Sequence, residues 1–159
     1  MTSTPGYDAR FMDRAIEIAT ANVASGRGGP FGAVIVRDGV IIAEAANGVL
    51  ATNDPTAHAE VEAIRRACAL TGSFELRDCE LYASCEPCPM CLGAIYWARL
   101  ARVWYAGTRT HASEFDDAFI YDEIARAPEA RAIPMHAIEH DRAAEPFEAW
   151  TAKSDRVQY

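Results

Sequence analysis

The chain has 159 residues, about one domain's length, and half of them are hydrophobic, an ordinary globular balance. A formal charge of −8, with Arg and Lys scattered, argues against a nucleic-acid partner, because affinity for a phosphate backbone comes largely from basic side chains. No apolar run is long enough to span a bilayer, and Met1 to Tyr7 carries no basic-then-apolar leader, so a cytoplasmic protein without a membrane partner is expected.

From Tyr7 to Ala24, Phe11, Ala15, Ile18, Ala19 and Val23 recur near a helical period and predict an amphipathic helix. Gly26 to Pro30 breaks it. Phe31–Val36 and Val40–Ala45 are apolar, β-branched runs joined by Asp38-Gly39, a strong hairpin signal. Asn53 to Thr56 opens a second helix with Ala57, Val61, Ile64 and Cys68 on one face, ended by Thr71-Gly72. Cys79–Ser84 reads as a strand, Pro89–Ala98 as a helix and Arg102–Ala106 as a further strand. Pro134–Glu139 is a weaker strand candidate, and Phe147–Ala152 a short terminal helix. Strands that alternate with helices imply a mixed sheet flanked by helices in a single domain.

Two short motifs carry the chemistry. His58-Ala59-Glu60 offers an imidazole with a carboxylate two residues on, and Pro87-Cys88-Pro89-Met90-Cys91 offers two thiols at CxxC spacing. Both fall at a helix start, where side chains lean over the open end and the helix dipole favours thiolates. Cys88 and Cys91 share a helix face, and Pro89 suits the first helical position. His58, Cys88 and Cys91 make three ligands, and a catalytic zinc site keeps its fourth place for water. Two thiolates with an imidazole favour zinc over magnesium or calcium. Glu60, kept off the metal, suits proton transfer. Of the other thiols, Cys68 and Cys79 read as small buried hydrophobes, and an odd count of five cysteines argues against a disulfide framework. Cys85 makes a second CxxC with Cys88, so a redox pair remains an alternative.

His58-Ala59-Glu60 followed by Pro87-Cys88-Pro89-Met90-Cys91 resembles the zinc-dependent nucleobase deaminases of the cytidine deaminase-like superfold. The stretches 28–36, 53–60, 84–99, 115–121 and 146–150 are similar to the bacterial guanine deaminases, so the resemblance covers nearly the whole chain. It implies a three-layer α/β/α sandwich with a mixed sheet of about five strands. It further implies one zinc per subunit on His58, Cys88 and Cys91, with Glu60 as the catalytic proton shuttle. Asn47, Ala59, Phe31, Trp97, Asp117 and Tyr159 would bind the purine base. The implied protein is a homodimer with segment 145–159 exchanged between subunits. The implied reaction is hydrolytic deamination of guanine to xanthine, in purine catabolism or salvage. The segment between Tyr105 and Phe115 is slightly shorter than the resemblance leads one to expect.

Taken singly, these residues have plainer readings. Phe31 and Trp97 suit a core, Asn47 beside Gly48 suits a turn, Asp116-Asp117 suits a helix cap, and Tyr159 suits a loose terminus. A guanosine, cytosine, aminotriazine or tRNA adenosine deaminase would carry the same zinc motif. From another class, a zinc-stabilised binding module would need a fourth protein ligand, from Glu60 or Cys85.

Overall fold

Asp8 starts the first helix: its carboxylate accepts the Arg10 backbone N–H at 3.0 Å, and α1 runs Ala9–Ala24. This computed structural model describes residues 6–115 and 117–159, so Asp116 of the Asp-Asp pair lies outside the described residues. The inward stripe of α1 is Phe11, Met12, Ala15, Ala19 and Asn22. Asn22 takes the place expected for Val23, which is 53% exposed. Steps of four, four and three residues keep pace with 3.6 per turn, and a third step of four drifts off the face.

Strands β1 (Gly32–Arg37) and β2 (Val40–Ala46) form the expected antiparallel hairpin. Its two turn residues both have positive φ, 51° at Asp38 and 73° at Gly39, as a two-residue turn matching strand twist requires. After β2 comes a single helical turn, α2 (Val49–Thr52), and then α3 (Ala59–Thr71), closed by the left-handed Gly72. Strand β3 (Cys79–Cys85) pairs antiparallel with β1. Helix α4 (Pro89–Trp97) follows, and β4 (Arg102–Gly107) lies parallel to β3. The sheet order is β2-β1-β3-β4, a mixed sheet.

Alternation sorts the sheet's side chains into two faces. Ala33, Ile35 and Leu81 pack with Ala59, Ala63, Ile64 and Ala67 of α3 and Ile95 of α4. Val34, Val36 and Tyr82 pack with Phe11 and Met12 of α1. β1 is therefore buried on both sides, and the layers run α1, sheet, then α3 with α4. The buried residues of α3 are Ala59, Glu60, Ala63, Ile64 and Ala67. Of the expected Ala57, Val61, Ile64 and Cys68, Ala57 and Ile64 are buried, Cys68 packs against the core and Val61 is half-buried, while Glu60 turns inward. Among the described residues the sheet has four strands, where about five were expected.

The chain divides into two compact units, Met1–Asp116 and Asp117–Tyr159. The second holds α5 (Ala118–Ala125), which its sequence did not announce, and α6 (Glu145–Ala152), which begins two residues before the expected Phe147. Neither helix has a buried residue. Residues 134–139 are not a strand. The N–H of Met135 is spent locally, on the Pro128 carbonyl at 3.1 Å. Among the described residues no helix is long and apolar enough to cross a membrane.

A Cβ added at Gly32 would sit 2.3 Å from the Ala15 oxygen and 2.8 Å from the Ala19 nitrogen, both backbone atoms of α1. Gly32→Ala should therefore push α1 off the sheet at a cost of about 1–3 kcal/mol, or roughly 3–10 °C in Tm for a chain of this size. An unchanged melting curve would contradict this seating of α1. Arg14 also ties α1 to β2 through Glu44, at 2.6 and 2.9 Å. The Arg14 hydrogen bond holds the Glu44 carboxyl below its usual range. A depressed folded-state pKa stabilises above the unfolded value and is lost as pH falls through the folded one. Both side chains are 42% exposed, which limits the effect to under about 1 kcal/mol. Stability measured from about pH 6 down to about pH 3 should fall less in Glu44→Gln than in wild type.

Candidate metal centre

A tight turn delivers His58. Asn53 is left-handed at the end of α2, with φ 53°. The Asp54 carboxylate accepts both the N–H and the hydroxyl of Thr56, at 2.8 and 2.7 Å. These Thr56 bonds hold the Asp54 carboxyl below its usual range, the side-chain bond foremost. The Ala57 carbonyl then accepts the Gly48 N–H at 2.8 Å, pinning the turn to the end of β2. His58 is the extended N-cap residue of α3, and its carbonyl accepts the Glu62 N–H at 2.9 Å. Ala59, fully buried, and Glu60 are the first two helical residues.

The end of β3 delivers the thiols. Beyond Cys85, the Glu86 N–H donates to the Gly107 carbonyl at 2.8 Å and continues the pairing with β4. Cys88 is the N-cap residue of α4, Pro89 lies at the helix start, and Cys91 follows on the same face. Both motifs thus occupy helix N-termini, as their spacing predicts.

The three donor atoms converge. Cys88 Sγ and Cys91 Sγ are 3.6 Å apart, and His58 Nδ1 lies 3.6 Å from the first and 3.5 Å from the second. With zinc–sulfur bonds of about 2.3 Å and a zinc–nitrogen bond of about 2.0–2.1 Å, a tetrahedral centre spaces two sulfurs about 3.8 Å apart and sulfur from nitrogen about 3.6 Å. The observed triangle matches one face of such a tetrahedron. Among the described residues the metal-holding group closes at these three; Glu60 and Cys85 are not members. A binding module whose metal is fully enclosed by protein would need a fourth.

Electrostatics fit the same ion. The Cys88 thiol is drawn down to about 4, first by the hydrogen bond from Cys91 and then by contact with His58. The same bond, together with burial, pushes the Cys91 thiol up. Two thiolates this close repel unless a cation lies between them, and a coordinating metal deprotonates both. Glu60 is 7% exposed, with Oε2 3.5 Å from Cys91 Sγ. Burial raises its carboxyl above the usual range. A buried acid beside the metal position, outside the donor group, can hold and pass a proton.

The other expected site residues fall into three groups. Phe31 and Asn47 are joined: the Asn47 N–H donates to the Phe31 carbonyl at 3.0 Å. Asn47 is buried, and its Oδ1 accepts the Val49 N–H at 3.3 Å, so the turn role read for it is present. Trp97 ends α4 and is 67% exposed, so it is no core aromatic. Asp117 and Tyr159 belong to the second unit: Asp117 is the N-cap residue of α5, and the Tyr159 ring meets Trp150 edge-on at 6.1 Å. Two residues to which the sequence assigns no site role join them. Phe115 packs edge-on against Phe31 at 5.1 Å, and buried Asn22 bonds to the Asn47 carbonyl. Asn22 could have been found as a polar residue on the apolar stripe of α1.

Residues 6–107 match the family described as the cytidine and deoxycytidylate deaminase zinc-binding region. The guanine deaminase of Bacillus subtilis is 54% identical over 151 residues, covering 94% of this chain and 97% of that protein. The X-ray structure of guanine deaminase from Bacillus subtilis superposes with a TM-score of 0.94 at 53% identity, covering 96% of this chain and 99% of that one. A tRNA-specific adenosine deaminase of Agrobacterium fabrum is 47% identical over 76 residues, covering 48% of this chain and 50% of that protein. The zinc-binding family and the His58, Cys88, Cys91 group together fit one zinc per subunit.

Metal analysis should therefore find one zinc per chain after dialysis. His58→Ala and Cys88→Ala should each weaken zinc binding by more than about 100-fold, the upper range for losing a mere outer-shell partner. Full zinc retention by both variants in a chelator competition would remove these residues from the centre.

Proposed function

The chain belongs to the cytidine and deoxycytidylate deaminase zinc-binding family, and we propose that it hydrolyses guanine to xanthine and ammonia. One observation carries the choice of base. Identity to a guanine deaminase continues past residue 107, where the family's zinc-binding region stops, over 94% of the chain. Likeness to a tRNA adenosine deaminase spans about half of it. A net charge of −8 is also a poor match to a polyanionic tRNA.

His58, Cys88 and Cys91 would hold the zinc, whose chemistry is to polarise a bound water for attack at neutral pH. Glu60 moves the protons. Its carboxylate takes one from the attacking water and delivers it to the ring nitrogen beside C2, then serves the departing 2-amino nitrogen. One water enters, the C2–N bond breaks, ammonia leaves and xanthine remains. The buried position of Glu60 favours this exchange, since a raised pKa brings a carboxyl nearer the working pH.

Guanine presents N1–H and an amine as donors, and O6, N7 and N3 as acceptors. The Asn47 oxygen is engaged by the Val49 N–H, so its side-chain amine is the group to offer an acceptor on the base. Phe31 supplies an aromatic face, while Ala59, its methyl fully buried in the core, has only its backbone to offer the base beside the metal position. In this reading Trp97, Asp117 and Tyr159 complete base recognition, in a cytoplasmic homodimer that exchanges segment 145–159. The apolar side chains of that segment, Phe147 at 74% exposure among them, suit burial against a second copy.

Ammonia release from guanine, guanosine, adenosine, cytosine and an aminotriazine tests the assignment. Guanine should lead, and a clear preference for cytosine or adenosine would overturn it. Glu60→Gln should lower kcat by about 10²–10⁴-fold at unchanged zinc content; near-normal turnover by that variant would remove Glu60 from the proton path.

A further inference from the structure

Among the described residues three polar or charged side chains are buried: Glu60, Asn47 and Asn22. The first two have places in the proposed reaction. Asn22, at 7% exposure in the last turn of α1, has none.

Its bonds say what it does. Nδ2 donates to the carbonyl of Gly29 at 2.9 Å and to that of Asn47, also at 2.9 Å. The Gly29 carbonyl also accepts the Phe31 N–H at 2.9 Å, and the Phe31 carbonyl accepts the Asn47 N–H at 3.0 Å. Asn22, Gly29, Phe31 and Asn47 thus form a closed circuit of hydrogen bonds. It sits at the open end of the β1–β2 pair, one step beyond the terminal Gly32–Ala46 partners. Gly28 lies inside the circuit: a Cβ there would be 2.5 Å from the Asn47 oxygen and 2.9 Å from Asn22 Nδ2. The helix has its own closure, since the Ser25 N–H returns to the Ala21 carbonyl at 3.0 Å. Asn22 is therefore not needed to end α1, and both of its amide protons go to the segments that carry Phe31 and Asn47.

We infer that Asn22 is a positioning residue for base recognition: its amide locks the Phe31 and Asn47 segments into one preformed unit. The inference rests on the proposed function, which gives Phe31 and Asn47 to the base. Removing the amide strands the buried Asn47 carbonyl and leaves the Gly29 carbonyl with the Phe31 N–H alone, so the Asn47 segment shifts to find another partner and carries its side chain out of register. Such a lesion loosens ground state and transition state alike, so it appears in KM rather than kcat.

Steady-state kinetics on the zinc-loaded chain test this at a temperature well below melting. In Asn22→Ala, KM for guanine and Ki for the product xanthine should both rise by about 10-fold, with kcat within about 3-fold and zinc content unchanged. Gly28→Ala keeps the Asn22 amide but forces the Asn47 backbone away, and should give the same split. It decides the matter where Asn22→Ala yields no folded protein. A lowered Tm with wild-type KM and Ki overturns the inference, because Asn22 would then be structural only; so does a loss confined to kcat. If wild type turns over guanine and only the variants fail to show the split, the proposed function stands and this inference falls. If wild type releases no ammonia from guanine, both fall.

Discussion

Three donor atoms spaced 3.5–3.6 Å apart set the condition that the rest of the first unit must satisfy. They come from two helix starts more than two dozen residues apart in sequence, so each helix must end its approach at one point. The Asp54–Thr56 turn fixes one start, and the continued β3–β4 pairing at Glu86 fixes the other. Each device acts through backbone N–H groups that an open helix end or loop would otherwise leave unpaired. The same N-termini direct partial positive charge toward the sulfurs. A divalent ion completes the balance, since the paired thiols otherwise compete over one negative charge.

Small residues make the convergence sterically possible. The inner face of α3 is largely alanine, with Ala59, Ala63 and Ala67 fully buried against Ala33, Ala43 and Ala45 of the hairpin. On the opposite side of the sheet, Gly32 leaves α1 no gap at Ala15 and Ala19. Small facing side chains let helix backbones approach the strands closely, so helix positions follow sheet positions with little slack. That stiffness matters because Glu60 must stay buried near Cys91 without joining the metal's donor group. A looser, larger-residue face would let the first turn of α3 roll, and the carboxylate would leave its place.

The legible parts of the fold were those written in local chemistry. Asp38-Gly39 specifies its hairpin by backbone conformation alone, and the proline after Cys88 marks a helix start whatever surrounds it. Residues whose side depends on the helix's precise phase were less legible. Most of the expected apolar positions of α1 and α3 do face inward, but Asn22 takes the place of Val23 and Glu60 joins the buried set, because apolar counting assigns a polar side chain to solvent by default. A buried polar residue is legible only through its partners, and those are 7 and 25 residues away for Asn22. Residues 134–139 failed for a different reason: a strand exists only where an edge accepts it, and Met135 has already spent its N–H on Pro128. Helix α5, whose apolar residues are interrupted by Asp122 and Glu123 and none of which is buried, offers no inward stripe to read.

The metal centre and the residues proposed to recognise the base answer to different physics. Zinc ligation tolerates any base whose amine can reach a polarised water, so in the proposed reaction His58, Cys88, Cys91 and Glu60 would specify hydrolysis and little more. Discrimination among bases needs buried polar groups that are left unpaired by the wrong ligand, and it grows with how firmly those groups are held. A free asparagine would turn its amide to suit several rings. An asparagine whose backbone is bonded to Phe31 and Asn22, and whose side-chain oxygen accepts from Val49, keeps its side-chain NH2 as the donor group and has little freedom to redirect it. The ordering cost is then met during folding, before any ligand arrives. A circuit of hydrogen bonds around Gly28, two of them from the Asn22 side chain, would thus sharpen specificity in the proposed reaction, although no atom of Asn22 or Gly28 has to touch the base.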